Sequence, residues 1–427
     1  MTPPPRTILH VPRRFTADEW GGTETVVLEI ARRPRSDGWN PAIVTSLALS
    51  DRRSEALAGI PVYRHPYFYP YFGLSRSDKA ALDKKGGNLV SFSLLFRLLT
   101  TPNVRLFHAH ALKRLGGEVR TAARLRRKPC VVTLHGGVFD VPASELESLL
   151  APTRRGLEWG KALGALFGSR KLLSDADLVL CVGETEFARA RKALDHDRIA
   201  YLPNGVDFDR FAMGDGPDFR RRHGIPASAF LVLQVSRIDA QKNQALLLAA
   251  FRDLRASVPE ARLLFVGPET QPEYARSLRA RIAEYGLAES VAILPGLRPD
   301  DPDLVRAYHA ADVFVLPSVH EPFGIVVLEA WSAARPVVAA AGGGPKTLLR
   351  HEDTGMLFEP EATDAPALLA GILLRLARHP DLRENLGRNG REEARSKYDW
   401  QVVAARLDEL YRAAEAHHAR RRGHSKP

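Results

Sequence analysis

Cysteine is nearly absent from this sequence. The 427 residues hold two, Cys130 and Cys181, each inside a short apolar run. Residues so placed act as small buried hydrophobes. They form no disulfide framework and are too few to hold a structural metal. Long hydrophobic runs are missing too. No stretch approaches the ~20 consecutive apolar residues that a membrane-spanning helix needs. The start, Met1-Thr2-Pro3-Pro4-Pro5-Arg6, carries no apolar run of leader length, so a cytoplasmic protein is expected. There is no internal repeat. The basic residues are spread over many helical segments without a nucleic-acid motif, so nucleic acid is not an expected partner.

What is present is a soluble globular composition, 45% hydrophobic and 26% charged, with room for two domains of ordinary size. Lys and Arg number 61 against 50 Asp and Glu, a formal charge of +11. That excess favours anionic partners such as nucleotides or phospholipid headgroups. The run Arg420-Arg421-Arg422 is expected to be a disordered, solvated tail.

Short β-rich runs alternate with helical patterns. Strands are expected at 6–11, 42–46, 104–108, 130–134, 177–182 and 199–202, then at 230–235, 262–266, 291–294, 312–316 and 336–339. Most are continuously apolar, as strands buried on both faces of a parallel sheet are. Between them lie amphipathic helices such as 244–255, with Leu247, Leu248, Phe251 and Leu254 on one side. The alternation predicts an α/β chain of right-handed crossovers: two Rossmann-like domains whose parallel sheets face a central cleft. The Gly/Pro-rich stretch Met213–Asp218 reads as a linker. It places the first domain at 1–208 and the second at 209–395, with a crossover helix and basic tail at 396–427.

Residues 63–103 break the alternation. Tyr67-Phe68-Tyr69-Pro70-Tyr71-Phe72-Gly73 is aromatic and interrupted by proline, Lys84-Lys85-Gly86-Gly87 follows, and Phe92–Leu99 reads as a helix packed in the core. Aromatics on a loop suit sugar stacking or a membrane interface.

Four segments carry chemistry. In P-S-V-H-E-P-F-G-I-V-V-L-E-A, residues 317–330, a strand gives way to a helix. The amides of Phe323, Gly324, Ile325 and Val326 then fall at the helix N-terminus, where unpaired donors and partial positive charge suit a phosphate or a sugar hydroxyl. Glu321 in the turn can accept from sugar hydroxyls, or merely cap the helix. Glu329 can clasp a vicinal diol such as ribose. In V-S-R-I-D-A-Q-K-N, residues 235–243, Arg237 and Lys242 flank a sheet edge where ligands bind in open α/β folds. Two cations there neutralise a diphosphate without a metal, although a cation at a helix start needs an anion beside it. Gly21-Gly22-Thr23-Glu24 lets backbone approach a phosphate. It is not G-x-G-x-x-G, which counts against a nicotinamide site. Thr133-Leu134-His135-Gly136 ends a strand and aims a histidine outward.

Taken in their order along the chain, with Asn204-Gly205-Val206-Asp207 at the domain junction, these segments resemble the family 4 retaining glycosyltransferases of GT-B fold. E-x(7)-E runs from Glu321 to Glu329 and S-R-x-x-x-x-K from Ser236-Arg237 to Lys242. The resemblance covers about residues 6–415. It implies a nucleotide-diphosphate sugar as donor substrate, no cofactor and no metal. The implied catalytic set is His135, Arg237, Lys242 and Glu321. Arg237 and Lys242 steady the leaving diphosphate, Glu329 binds ribose, and Glu321 and the amides of Phe323–Val326 hold the sugar. Gly21, Gly22 and Asn204 complete the donor site. The acceptor is expected to be a polysaccharide, a glycolipid or other lipid-linked molecule, or a small glycoside, with peripheral contact to an anionic inner-membrane surface. The family's usual G-G-x-P-E is here Gly342-Gly343-Gly344-Pro345-Lys346, and its G-H-E-V is replaced by Gly38-Trp39-Asn40-Pro41.

Other readings stand beside this one. His108 and His110, with His135, outline a metal site lacking a carboxylate. Asp301-Pro302-Asp303 imitates the D-x-D of metal-dependent transferases, but Asp and Pro also open helices. A GT-B epimerase or phosphorylase, or a non-catalytic nucleotide-sugar-binding protein, would share parts of the pattern.

Overall fold

The computed structural model describes residues 6–17, 20–33, 39–139, 151–154, 156–298 and 300–423. Met1–Pro5 and Gly38 lie outside them. The chain forms two compact units, Met1–Pro203 with Val403–Pro427, and Asn204–Val402.

The first unit contains β1 (Arg6–Val11), β2 (Trp39–Ser46), β3 (Ser54–Leu57), β4 (Ile60–His65), β5 (Tyr71–Phe72), β6 (Val104–Ala109), β7 (Cys130–Leu134), β8 (Leu157–Glu158), β9 (Leu178–Cys181) and β10 (Ile199–Tyr201). Eight of them make one sheet in the order β10-β9-β7-β6-β1-β2-β4-β3. It is parallel except for the β3–β4 hairpin; β5 and β8 form a separate antiparallel pair. In the second unit β11 (Leu231–Val235), β12 (Arg262–Val266), β13 (Val291–Leu294), β14 (Val313–Leu316), β15 (Val337–Ala340) and β16 (Met356–Phe358) form a second sheet, ordered β13-β12-β11-β14-β15-β16. All its pairs are parallel.

Every strand expected from an apolar run forms, and the reason is burial on both faces: β7, β9, β14 and β15 are buried at every residue. The helix Gln244–Ser257 buries Leu247, Leu248, Phe251 and Leu254 against Leu263 and Phe265 of the sheet and Leu369, Leu373 and Leu376 of the helix Ala365–Arg378. Cys130 and Cys181 are buried and form no disulfide among the described residues, and burial pushes the Cys130 thiol up to about 12. No helix of the described residues is long and apolar enough to cross a membrane.

Three expectations need correction. Met213–Asp218 is not a linker, because it lies inside the second unit. Gly214 and Gly216 pack so closely on the 302–310 helix that a Cβ on Gly216 would stand 2.3 Å from His309 O. Division between the units falls instead at Pro203/Asn204 and Val402/Val403. Val206 pairs with Asp399 and Gly205 rests on the Trp400 ring, which ties this strip to the second unit. Nor is Arg420–Arg422 a disordered tail, since it continues the helix Trp400–Gly423. His418 Nδ1 meets Asp177 Oδ2 at 3.1 Å and Arg421 donates to Asp175 O at 3.0 Å; cations in a last turn also suit the helix dipole. The helix Phe92–Thr100 buries Leu94 and Leu98 as expected, but Phe92 and Phe96 face solvent. Trp39, at the departure from G-H-E-V, stacks on Tyr411 at 5.4 Å.

Candidate active site

Both sheets add strands in two directions from their first strand, and the reversal lies between β1 and β6 in one unit and between β11 and β14 in the other. Loops leaving the carboxyl ends of such a pair diverge, and ligands bind in the gap. In the second unit those loops are residues 236–243 and 317–324, the two segments singled out above.

The loops are joined into one wall. Val319 N donates to Gln241 O at 2.9 Å and Gln241 Nε2 to His320 O at 3.1 Å. Lys242 Nζ donates to Glu321 Oε2 at 2.7 Å, which supplies the anion that a cation in this position needs. Arg237 lies 3.2 Å from Asp239 Oδ2 and keeps 46% of its side chain exposed; its guanidinium can therefore reach a ligand without first leaving a protein pocket. Asp239 accepts from Lys242 N at 3.2 Å and so caps the short turn. Two glutamines, which sequence reading missed, lock the loop from below. Gln244 Nε2 holds Arg237 O at 2.8 Å and Ser236 Oγ at 3.1 Å, and Gln234 Nε2 holds Lys242 O at 2.8 Å. Gly267 is required here, because a Cβ would stand 1.7 Å from Ser236 O.

The helix Ile325–Ser332 begins at Gly324, which has φ 97° and provides no side-chain cap. Its open first turn leaves amide donors at Ile325 and Val326. The Gly342–Gly344 turn props this entrance: Gly344 N donates to Glu321 O at 2.7 Å, and a Cβ on Gly344 would stand 2.4 Å from Phe323 Cα. Phe323 is buried, whereas Lys346 is exposed. Glu329 follows one helical turn after Ile325. Its Oε2 accepts from the Tyr308 hydroxyl at 2.6 Å, and among the described residues Oε1 has no hydrogen-bond partner. Burial raises the Glu329 carboxyl above its usual range, with the Tyr308 bond opposing the shift. Tyr308 was legible only as an apolar helix position, because its partner lies on another helix. Asn204 is buried and its Oδ1 has no hydrogen bond among the described residues.

The first unit is built differently at its own reversal point. His10, His108 and His110 stand at the ends of β1 and β6, buried. His135 Nε2 meets His110 Nδ1 at 2.9 Å, and His110 Nε2 meets His10 Nδ1 at 3.2 Å. The set that could hold a metal is therefore His10, His108 and His110, rather than 108, 110 and 135. Hydrogen bonds already occupy it: both His108 nitrogens are engaged, with Tyr411 OH and Thr133 Oγ1, each at 2.6 Å. Burial lowers the His135 pKa to about 4, and burial with two neighbouring histidines lowers His110 well below its ordinary value. His110 and His135 are thus neutral near pH 7. Glu186, fifty residues on, accepts from Gly136 N and Val138 N at 3.2 Å each and fixes the turn that follows His135.

His135 lines a cavity of about 220 Å³ in this unit, together with Arg13, Thr23, His110 and Lys113; among the described residues no carboxylate lines it. Lys113 donates to Gly86 O at 3.0 Å, and Arg13 to Leu82 O and Asp83 O. Gly21 caps the helix Gly22–Arg32, with the Glu24 carboxylate folded back towards it. Asp301 and Pro302 open a helix, where Asp301 accepts from Asp303 N at 2.9 Å and Asp303 pairs with Arg222. D-x-D is a helix start here.

Two doubly wound parallel sheets, one bearing paired cations and an open helix end at its reversal point, define a glycosyltransferase of GT-B type. Residues 215–393 match the family described as Glycosyl transferases group 1, and residues 20–210 match Glycosyltransferase Family 4. The chain is 31% identical to the D-inositol 3-phosphate glycosyltransferase of Geodermatophilus obscurus, over 93% of this chain and 86% of that protein. To its counterpart from Thermobispora bispora it is also 31% identical, over 92% and 90%. Among solved structures, Anabaena HepE in complex with UDP and glucose superposes with a TM-score of 0.70 at 19% identity, over 96% of this chain and 100% of that one. Sucrose-phosphate synthase from Thermosynechococcus elongatus gives 0.72 at 23% identity, over 95% and 98%. The chain belongs to glycosyltransferase family 4.

Proposed function

We propose that this chain moves a hexosyl-type sugar from a nucleotide-diphosphate sugar to an acceptor hydroxyl, with retention at the anomeric carbon and without a metal or other cofactor. The observation that carries the donor half is the wall at the carboxyl ends of β11 and β14. Arg237 and Lys242 face the diphosphate, and the amides of Ile325 and Val326 add donors at the same edge. Each charge-assisted bond is worth about 1.5–3 kcal/mol. As the glycosidic bond lengthens, negative charge grows on the departing diphosphate, and fixed donors there lower the barrier. The Lys242–Glu321 pair gives the step its order. When Lys242 turns to the diphosphate it releases Glu321, whose oxygens then accept from sugar hydroxyls. Glu329, with one oxygen held by Tyr308, offers the other to the ribose. Retention and metal independence are supported by the E-x(7)-E and S-R-x-x-x-x-K patterns.

The first unit's share is the Gly21–Gly22 turn, for the distal phosphate, and His135, for the reacting sugar. Asn204 is assigned to the donor site. The acceptor enters the cavity beside His135. Arg13 and Lys113, with no carboxylate lining that space among the described residues, favour an acceptor carrying negative charge; the relatives named for D-inositol 3-phosphate point the same way. A hydrolysis screen across UDP-, GDP- and ADP-sugars, with and without chelator, tests the reading. Turnover of at least one donor that survives chelation is expected. Turnover abolished by chelator and restored by a divalent cation would remove the metal-free mechanism.

A further inference from the structure

We propose that the first unit docks on an anionic bilayer surface through an aromatic face distinct from its acceptor cavity. Six large apolar side chains are exposed on this face: Phe72, Phe92, Phe96, Leu157, Trp159 and Leu166, from 43% for Trp159 to 73% for Leu166. Phe72, Phe92, Leu157 and Trp159 are linked through ring and ladder contacts. Phe68 meets Phe92 at 5.8 Å and Trp159 at 5.9 Å, Trp159 meets Phe72 at 6.0 Å, and Phe92 meets Phe167 at 6.3 Å. Leu157 lies opposite Phe72 in the β5–β8 ladder, and Phe96 follows Phe92 by one helical turn. None of the six lines the cavity beside His135, so sugar stacking at that site does not account for them.

The face is held rigidly. Arg114 Nε donates to Gly160 O at 3.0 Å, and Arg114 also pairs with Glu158. Gly160 sits so close to Pro70 that a Cβ would stand 2.2 Å from its ring. An exposed aromatic patch built on fixed backbone is a surface made for contact. Its charge identifies the occupant. Across residues 66–100 and 151–171 there are ten Lys and Arg and three Asp and Glu. All three acids are engaged: Asp78 caps Ser75, Asp83 accepts from Tyr67 and Tyr69, and Glu158 pairs with Arg114. Arg76, Lys79, Lys161, Arg170 and Lys171, on the same segments as the apolar side chains, are exposed and make no ion pair among the described residues. Aromatic side chains exposed on segments that also carry these cations match an anionic lipid surface.

The test is sedimentation of the full chain with phosphatidylglycerol-rich vesicles and with pure phosphatidylcholine vesicles, at low and high salt. Three double variants accompany the wild type: Phe72→Ala/Phe96→Ala, Arg76→Glu/Lys161→Glu, and Met213→Ala/Leu368→Ala, which removes exposed apolar groups from the second unit. Wild type should pellet with anionic vesicles at low salt, about tenfold more than with neutral ones. The aromatic variant should lose at least tenfold, the charge variant about fivefold per position, and the second-unit variant nothing. Full recovery in the supernatant, or equal loss in the second-unit variant, overturns the proposal. So does a concentration-dependent dimer that Phe72→Ala/Phe96→Ala dissolves without any vesicle binding, since the face would then belong to a second copy. Donor hydrolysis should be the same in all four proteins, which separates this test from that of the transferase reading.

Discussion

The two sheets reverse at equivalent points and carry opposite chemistry there. At the β11/β14 edge the second unit sets two ion pairs and an uncapped helix end. At the β1/β6 edge the first unit buries a hydrogen-bonded row of histidines over a cavity. One scaffold thus makes a grip of ion-paired loops in one place and, in the other, a hydrogen-bonded chain of histidines beside a cavity that Arg13 and Lys113 also line. The difference follows from what leaves the strands. Ser236–Lys242 and Pro317–Gly324 are polar loops stitched across the gap, whereas His10, His108 and His110 are still in or beside their strands and take the burial of the sheet.

The comparison is broken most directly at Lys242. Lys242→Ala should lower turnover by about 10²–10³ at saturating donor, the usual loss for one charge-stabilising donor; an unchanged rate would take the residue out of the mechanism. Glu329→Ala comes next, with nucleoside diphosphate affinity falling about 10–100-fold by calorimetry and turnover at saturation changing less, because this carboxylate is assigned to ribose and not to the bond being broken. Equal affinity in both proteins contradicts the assignment. On the neutral side, His110→Ala removes the partner that orients His135. A tenfold loss in kcat/KM is expected, with His110→Asn recovering part of it. The smallest effect is one of pH. Because burial holds His135 down to about 4, it is uncharged above that value, and no limb of the rate profile near pH 6.5 should belong to it. A limb there that vanishes in His135→Asn would show an exposed, ordinary histidine.

The sequence made the strands readable because sheets buried on both faces demand unbroken apolar runs, as in Val313–Leu316. It hid the β3–β4 edge, where Ile60–His65 alternates buried with half-buried residues and contains Pro61. Glycine and proline at 213–218 were read as a linker because composition cannot distinguish a flexible hinge from a close approach to His309. The charged grip was legible because its residues come in two short segments. Its supports were not: Gln234, Gln244 and Tyr308 look like ordinary strand and helix residues until packing sets them beside Ser236 and Glu329. The first unit's site was the least readable, since His10, Arg13, His110, Lys113 and Glu186 are gathered from three distant stretches and only the histidines at 108, 110 and 135 carried a local signal.

The central claim is that the second unit's loops grip a pyrophosphate. Calorimetry of Arg237→Ala/Lys242→Ala against wild type, with the nucleoside diphosphate of the active donor and with its nucleoside monophosphate, tests it. The diphosphate should bind at least 100-fold more weakly to the double variant, and the monophosphate should lose much less. Equal losses for both nucleotides, or none for the diphosphate, would contradict the account.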